Sequence, residues 1–332
     1  MDRWRYILSA AVSASGFCLS LTLFVCNVAF LGRLPPSSYL IVWLSLFDSG
    51  VAGNQFIYAL IQLTNGNVSE LHCRFLGFVE FASGITTLTL CMGLTLFRYL
   101  VIVHKHNISS RFAPRYVAAT ITTSCLVASL PFILQHPEVY ILHPTRLECN
   151  PNWAGRDASN LAVTGIAIII SATPIIFVGI AYTSIYFEVV RVNKDMQEIS
   201  DHPRENASLQ ESSFLHIDSG RDSARLSRAS VGLSVSIANT TKDTNRAQMQ
   251  RDLERQHTLL VQSIVLVSLL VAGWGPYLMI GVYEFATGEF VSMDWGFAAL
   301  ICIALNETLN PIAVVWFDAD IRNNVKRVFR VG

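Results

Sequence analysis

A carboxylate set inside a long apolar run constrains this chain more than any other feature. Residues 73–98 read CRFLGFVEFASGITTLTLCMGLTLFR, and at ~1.5 Å per helical residue such a stretch crosses a bilayer whose hydrocarbon core is about 30 Å thick. Within it Glu80, Gly84, Thr87, Cys91, Thr95 and Arg98 recur at steps of 4, 3, 4, 4 and 3. That spacing draws one small and polar stripe down a single helix face. A charge at the bilayer centre costs roughly 2.5 to 3.5 kcal/mol on the insertion scale, so the carboxylate must turn toward protein or water. The helix is therefore expected in the middle of a bundle.

Apolar segments lie near residues 6–32, 38–63, 74–104, 114–135, 158–192, 257–286 and 294–317. Only 14% of the chain is charged, against about 25% in soluble domains, which makes lipid rather than water the main solvent. Seven spans put the termini on opposite sides. Of the 24 Lys and Arg, 19 share the side of the carboxyl terminus and five (Arg3, Arg5, Arg74, Arg146 and Arg156) lie opposite. The positive-inside rule then predicts a multi-pass protein with its amino terminus extracellular and its carboxyl terminus cytoplasmic. The first span carries no convincing cleavage signal and is expected to insert uncleaved.

Asp48 stands in the second span with Ala52 and Gln55 on its face, an intramembrane acid of the kind that marks function. Ser20 and Asn27, seven apart in the first span, read as helix-packing groups. Five of the seven cysteines sit in apolar runs; Cys73 and Cys149 lie outside them, on one side, where a disulfide is the natural pairing. It would pin the loop HPEVYILHPTRLECNPNW over the end of the third helix. Pro174 and Pro276 interrupt the fifth and sixth spans, giving each a place to kink or pivot.

Four regions follow: spans one to five in 1–192, a mostly disordered polar loop over 193–255, spans six and seven in 256–317, and an amphipathic tail over 318–332. In the tail Ile321, Val325, Val328 and Phe329 share one side, suiting a helix on a lipid surface. In the loop Arg225 and Arg228 precede Ser227 and Ser230, a pattern for a basophilic kinase. No His or Cys cluster within the spans supplies a catalytic constellation, so no enzyme is expected; no nucleic-acid partner is expected either.

Cys73 and Arg98 are spaced as in the rhodopsin-like (class A) G-protein-coupled receptors, and the run from Phe97 to His104 resembles their Asp-Arg-Tyr motif and its apolar sequel. The segment from Leu44 to Asp48 resembles the second-helix motif, Pro174 with Tyr182 the fifth, Trp274-Gly275-Pro276 the sixth, and Asn306 with Asn310-Pro311 the seventh. The resemblance implies an all-α, seven-helix membrane fold with a short carboxyl-terminal surface helix. It implies a plasma-membrane receptor that binds an extracellular ligand and activates a heterotrimeric G protein when helix 6 swings outward about Pro276. By the same resemblance Glu80, Phe81, Gly84, Trp274, Tyr277 and Leu278 wall the ligand pocket. Arg98, Tyr99, Tyr182, Pro276, Asn310 and Pro311 carry the signal, Arg98 meeting Tyr182 in the active state. Asp48, Thr87, Asn306 and Asn310 match a sodium-binding shell, to which Glu307 adds a second carboxylate where serine is common.

The departures sharpen the expectations. Phe97 replaces the acid beside Arg98, which raises basal signalling; Val314 replaces the tyrosine of the seventh-helix motif, which weakens coupling; and Gly273 stands where cysteine is usual. Ala304 occupies the place of the retinal-binding lysine, and no span contains a lysine, so no retinal is expected. The fifth span offers Ile166, Ala167 and Ile170 to the pocket rather than serines. Glu80 stands where amine receptors carry their cation-pairing acid, and it suits ligand contact and a bond within the bundle equally. A signalling-silent receptor-like scaffold, a lipid-handling membrane protein and a transporter stand as alternatives, although no inverted repeat supports the last.

Overall fold

A bilayer leaves the backbone one solution for isolated spans, since every N–H and C=O must be satisfied within its own helix. The computed structural model describes residues 3–64, 66–106, 108–133, 140–201, 261, 262 and 264–331. Among them seven helices are long and apolar enough to cross a membrane: α1 (Arg3–Val28), α2 (Pro36–Leu63), α3 (Glu70–Ile102), α4 (Phe112–Ile133), α5 (Ala158–Asp201), α6 (Ile264–Thr287) and α7 (Met293–Phe317). An eighth helix, α8 (Ala319–Val331), follows. Between α4 and α5 the chain makes a short antiparallel hairpin, β1 (Tyr140–Leu142) with β2 (Cys149–Pro151), in which Tyr140 faces Pro151 and Leu142 faces Cys149.

The helix ends follow from the residues there. Pro36 is the first residue of α2, where its missing N–H costs nothing. The Ser69 hydroxyl accepts the His72 backbone N–H and caps α3. Asp318 ends α7 and starts α8: its Oδ1 accepts the N–H groups of Asp320 and Ile321 at 3.0 and 3.1 Å, and its Oδ2 accepts the Ser38 hydroxyl at 2.8 Å. One carboxylate thus caps the surface helix and ties it to α2.

The described residues fall into two compact units, 1–184 with 262–332, and 185–261. In the second, α5 continues as a helix to Asp201, into the segment that composition reads as loop, with an Arg191–Glu188 ion pair of 2.8 Å. Ser227 and Ser230 lie outside the described residues.

In the first unit α3 packs against α2, α4 and the hairpin. Gly84, Thr87, Thr95 and Arg98 on its polar stripe are buried, as the cost of a charge in lipid demands. Small residues let α1 approach its neighbours closely: a Cβ on Gly16 would fall 3.1 Å from the Thr308 hydroxyl of α7, and Ser20 donates to the Glu307 carbonyl at 3.2 Å. Asn27 accepts from Asn324 of α8 at 3.0 Å, so Ser20 and Asn27 do join helices. On α8 Ile321 is fully buried while Phe329 is 69% exposed, leaving an apolar side for lipid.

Candidate functional site

The hairpin is held on the bundle at two points on α3. Cys73 and Cys149 are joined in a disulfide with their Cα atoms 5.3 Å apart. One turn on, a Cβ on Gly77 would fall 2.8 Å from the Cys149 carbonyl and 2.7 Å from the Tyr140 ring. Glycine is required there because the hairpin lies directly on the helix. The Tyr140 hydroxyl donates to the Ala128 carbonyl of α4 at 2.9 Å, and burial pushes that phenol above its ordinary pKa.

Beneath the hairpin lies a cavity walled by Glu80, Phe81 and Gly84 of α3, by Trp274, Tyr277 and Leu278 of α6, and by Asn150, Pro151 and Trp153 of the loop. All six residues that the resemblance assigns to a pocket therefore meet around one space. That space is about 30 Å³, room for about two waters, so the walls are drawn together. The α5 side differs from expectation. Ser171 lines the cavity, whereas Ile166 is 42% exposed on the outside of the bundle. Ser171 lies four residues beyond the buried Ala167 and shares its face, while Ile166 and Ile170 stand about 100° round the helix. The expectation that this span offers no serine is thus corrected.

Glu80 is bonded within the bundle: its Oε2 accepts the Asn54 amide at 2.7 Å. Asn150 donates to the Tyr277 hydroxyl at 3.4 Å and to Glu148 Oε1 at 3.2 Å. Glu148 faces His143, whose Nε2 lies 3.2 Å from Oε1 of Glu284 on α6. These three, with Asn150, Pro151, Trp153 and Ser171, escaped the sequence reading. The signal for Glu148 was its place beside Cys149, on a loop that a disulfide would pull inward.

At the cavity floor Trp274 rests on Gly84, where a Cβ would fall 2.8 Å from the indole. Its other side faces Glu307. Here the five residues matched to a sodium shell come together, all buried. Thr87 donates to Asp48 Oδ1 at 3.0 Å, Asn310 lies 3.5 Å from Asp48 Oδ2, and Asn306 donates to Glu307 Oε1 at 3.1 Å. The Asp48 and Glu307 carboxyls face each other at this centre. Two bare charges in so low a dielectric repel, so such a pair shares a proton or holds a cation. Asn306 Oδ1, Asn310 Oδ1 and Glu307 Oε2 are buried without hydrogen-bond partners. Oxygen donors alone form this set, which fits a hard cation.

Pro276 lies one turn of α6 from this centre toward the hairpin, and Pro311 follows Asn310 inside α7. At the far end of α3 the buried Arg98 donates from Nη1 to the Tyr182 hydroxyl of α5 at 3.4 Å, a long bond. Tyr99, beside it, is partly buried and meets the His104 ring edge-on at 5.0 Å.

The description "7 transmembrane receptor (rhodopsin family)" belongs to the family model that matches residues 9–313. Among solved structures, the crystal structure of squid rhodopsin superposes with a TM-score of 0.69 at 16% identity, covering 99% of this chain and 87% of that one. At that identity the likeness concerns the fold. No curated protein matches the chain.

Proposed function

The chain belongs to the seven-transmembrane receptors of the rhodopsin family, and on that premise we propose that it binds an extracellular ligand beneath the hairpin and activates a heterotrimeric G protein. The observation that carries this reading is a series of contacts along one face of α3. Glu80 faces the cavity, Gly84 supports Trp274, Thr87 bonds Asp48, and Arg98 reaches Tyr182.

In this reading the hairpin faces the outside, and a ligand enters by parting walls that now nearly touch. Parting them must move Trp274, because the indole forms part of the wall and Gly84 leaves no slack behind it. Trp274 bears on the Asp48–Glu307 centre, where a bound sodium ion would supply positive charge to the two carboxylates. A shift there changes how α6 and α7 pack, and α6 has Pro276 at which to bend. Outward movement of its inner end would then expose Arg98 and Tyr182 to the G protein. A ligand shifts this balance only by its different affinity for the two states.

Glu80 gives the pocket one acid among apolar walls, which suits a cationic ligand. Screening cationic against neutral compounds on wild type and Glu80→Gln tests that class: a cation whose binding ignores the substitution removes it. Coupling is read by nucleotide exchange on purified heterotrimeric G proteins added to the chain in lipid vesicles. Stimulated exchange that Arg98→Ala abolishes is expected; no stimulation of any G-protein class would overturn the reading. The signalling-silent alternative draws on one observation, that Val314 is buried in an apolar cluster with Leu90 and Leu94, with no hydroxyl at that place.

A further inference from the structure

Above the ligand cavity the structure buries more carboxyl groups than it can leave ionised. Glu148 is 2% exposed, Glu284 0% and His143 2%. His143 stands between the two acids: Nε2 is 3.2 Å from Glu284 Oε1, and Nδ1 is 3.9 Å from Glu148 Oε1 and 3.0 Å from the Thr145 hydroxyl. Glu284 Oε1 also accepts the Val291 backbone N–H at 3.1 Å, while its Oε2 is buried without a partner. The groups that face this cluster are Glu80 on α3, Tyr277 on α6 and Tyr58 on α2. Between α6 and α7, Phe290 sets its ring edge-on to the imidazole at 5.9 Å. From α7, Gly296 leaves room for the His143 ring, which a Cβ there would approach to 3.2 Å. Set against the two buried carboxyls of Glu148 and Glu284, with Glu80 partly buried beside them, is one imidazole, so the balance of charge must come from solvent.

We propose that His143, Glu148 and Glu284 form a binding site for the extracellular hydrogen ion, through which acidity fastens the hairpin to α6 and alkalinity loosens it. The sidedness rests on the receptor reading above, whereas proton binding does not. When His143 carries a proton, it joins the hairpin to Glu284 as a charged hydrogen bond. When Glu148 carries one, it no longer repels Glu284 and Glu80. Losing both protons leaves the Glu148 carboxylate facing Glu284 and Glu80 across a neutral ring, on the element that roofs the cavity and beside the helix that must move. The hydrogen ion would thus tune ligand access and the α6 balance together.

The signs agree. Burial, opposed by His143 and reinforced by Glu80 and Glu284, pushes Glu148 up to about 8 from an ordinary 4.5. The folded chain then holds this proton more tightly than the unfolded one, and stability falls as pH rises from about 4.5 to about 8. Burial alone would lower His143, but the bond to Glu284 and the charges of Glu148 and Glu284 leave it raised above 6.5. Its contribution is complete below about 6.5 and is lost as pH passes the raised value. Both groups therefore make the outer lock tightest in acid.

The test is thermal unfolding of the full chain in lipid nanodiscs across this window, beside Glu148→Gln and the double variant His143→Gln with Glu148→Gln. For wild type a midpoint fall of at least about 4 °C from pH 5 to pH 8 is expected. Glu148→Gln, neutral at every pH, should exceed wild type at the alkaline end and show a smaller fall, and the double variant should show a smaller fall still. A flat wild-type curve overturns the proposal with no variant needed, as does a slope that the double variant leaves unchanged. An intact slope in a chain that activates no G protein supports the proton site while removing the coupling reading.

Discussion

At the residue scale, the informative positions are those that differ from the family pattern. Gly273 replaces the usual cysteine, and the reason is contact: a Cβ there would fall 2.5 Å from the Cβ of Asn306, so only glycine lets α6 approach α7 at this level. Phe97 stands beside Arg98 in sequence where the family pattern has an acid, and Arg98 reaches Tyr182. Phe97→Asp should oppose that reach, since an acid within a few ångströms competes for the guanidinium. Ligand-free nucleotide exchange on the G protein should then fall about tenfold, the equivalent of about 1.4 kcal/mol. An unchanged baseline would mean that Phe97 has no part in setting the resting balance. Residues of this kind were legible in the sequence because an acid or arginine in lipid has few tolerable positions. Glu284 and His143 were not: one at the end of a span and the other in a polar loop, each reads as an ordinary solvated group, and only the folded hairpin buries them.

At the scale of elements, the helices were legible and the hairpin was not. Length and apolar content mark a span unmistakably, and the observed ends of α2, α3 and α7 fall within four residues of the apolar runs. Strands of three residues carry no alternation that could announce them. What shapes them is the disulfide and the Gly77 contact, both made at long range in sequence. The phase of α5 was misread for a related reason: an apolar helix in lipid has no polar face to mark its inside, so Ile166 and Ser171 were indistinguishable by period. The hairpin should depend on its covalent tie. Cys73→Ser should lower the stability of the purified chain by about 2 to 4 kcal/mol, read as a fall in unfolding temperature. It should also open the cavity by releasing Asn150, Pro151 and Trp153. Proteolysis confined to the loop near residue 149 would report that release directly, and equal resistance in the variant would show that packing on Gly77 holds the hairpin unaided.

Over the whole molecule, two buried polar centres are stacked in one bundle: the hairpin cluster above the cavity and the Asp48–Glu307 pair below Trp274. Their chemistry separates them. The upper centre is built around an imidazole and offers a proton exchange; the lower has oxygen donors from α2, α3 and α7 and offers a cation its ligands. A cation there would bind three helices at once, so it should favour the state in which Asn306, Asn310 and Thr87 converge. Sodium should therefore raise the unfolding temperature of wild type at fixed ionic strength, with an organic cation too large for the site as replacement. At about a hundred times its dissociation constant the ion would add about 2.7 kcal/mol. Asp48→Asn should abolish the increment, because it removes the carboxylate that Thr87 and Asn310 share. Glu307→Gln should reduce it less if the second acid only supplements the shell. Equal sodium responses in wild type and Asp48→Asn would leave the pair as a proton-sharing strut, with Trp274 resting on a fixed support.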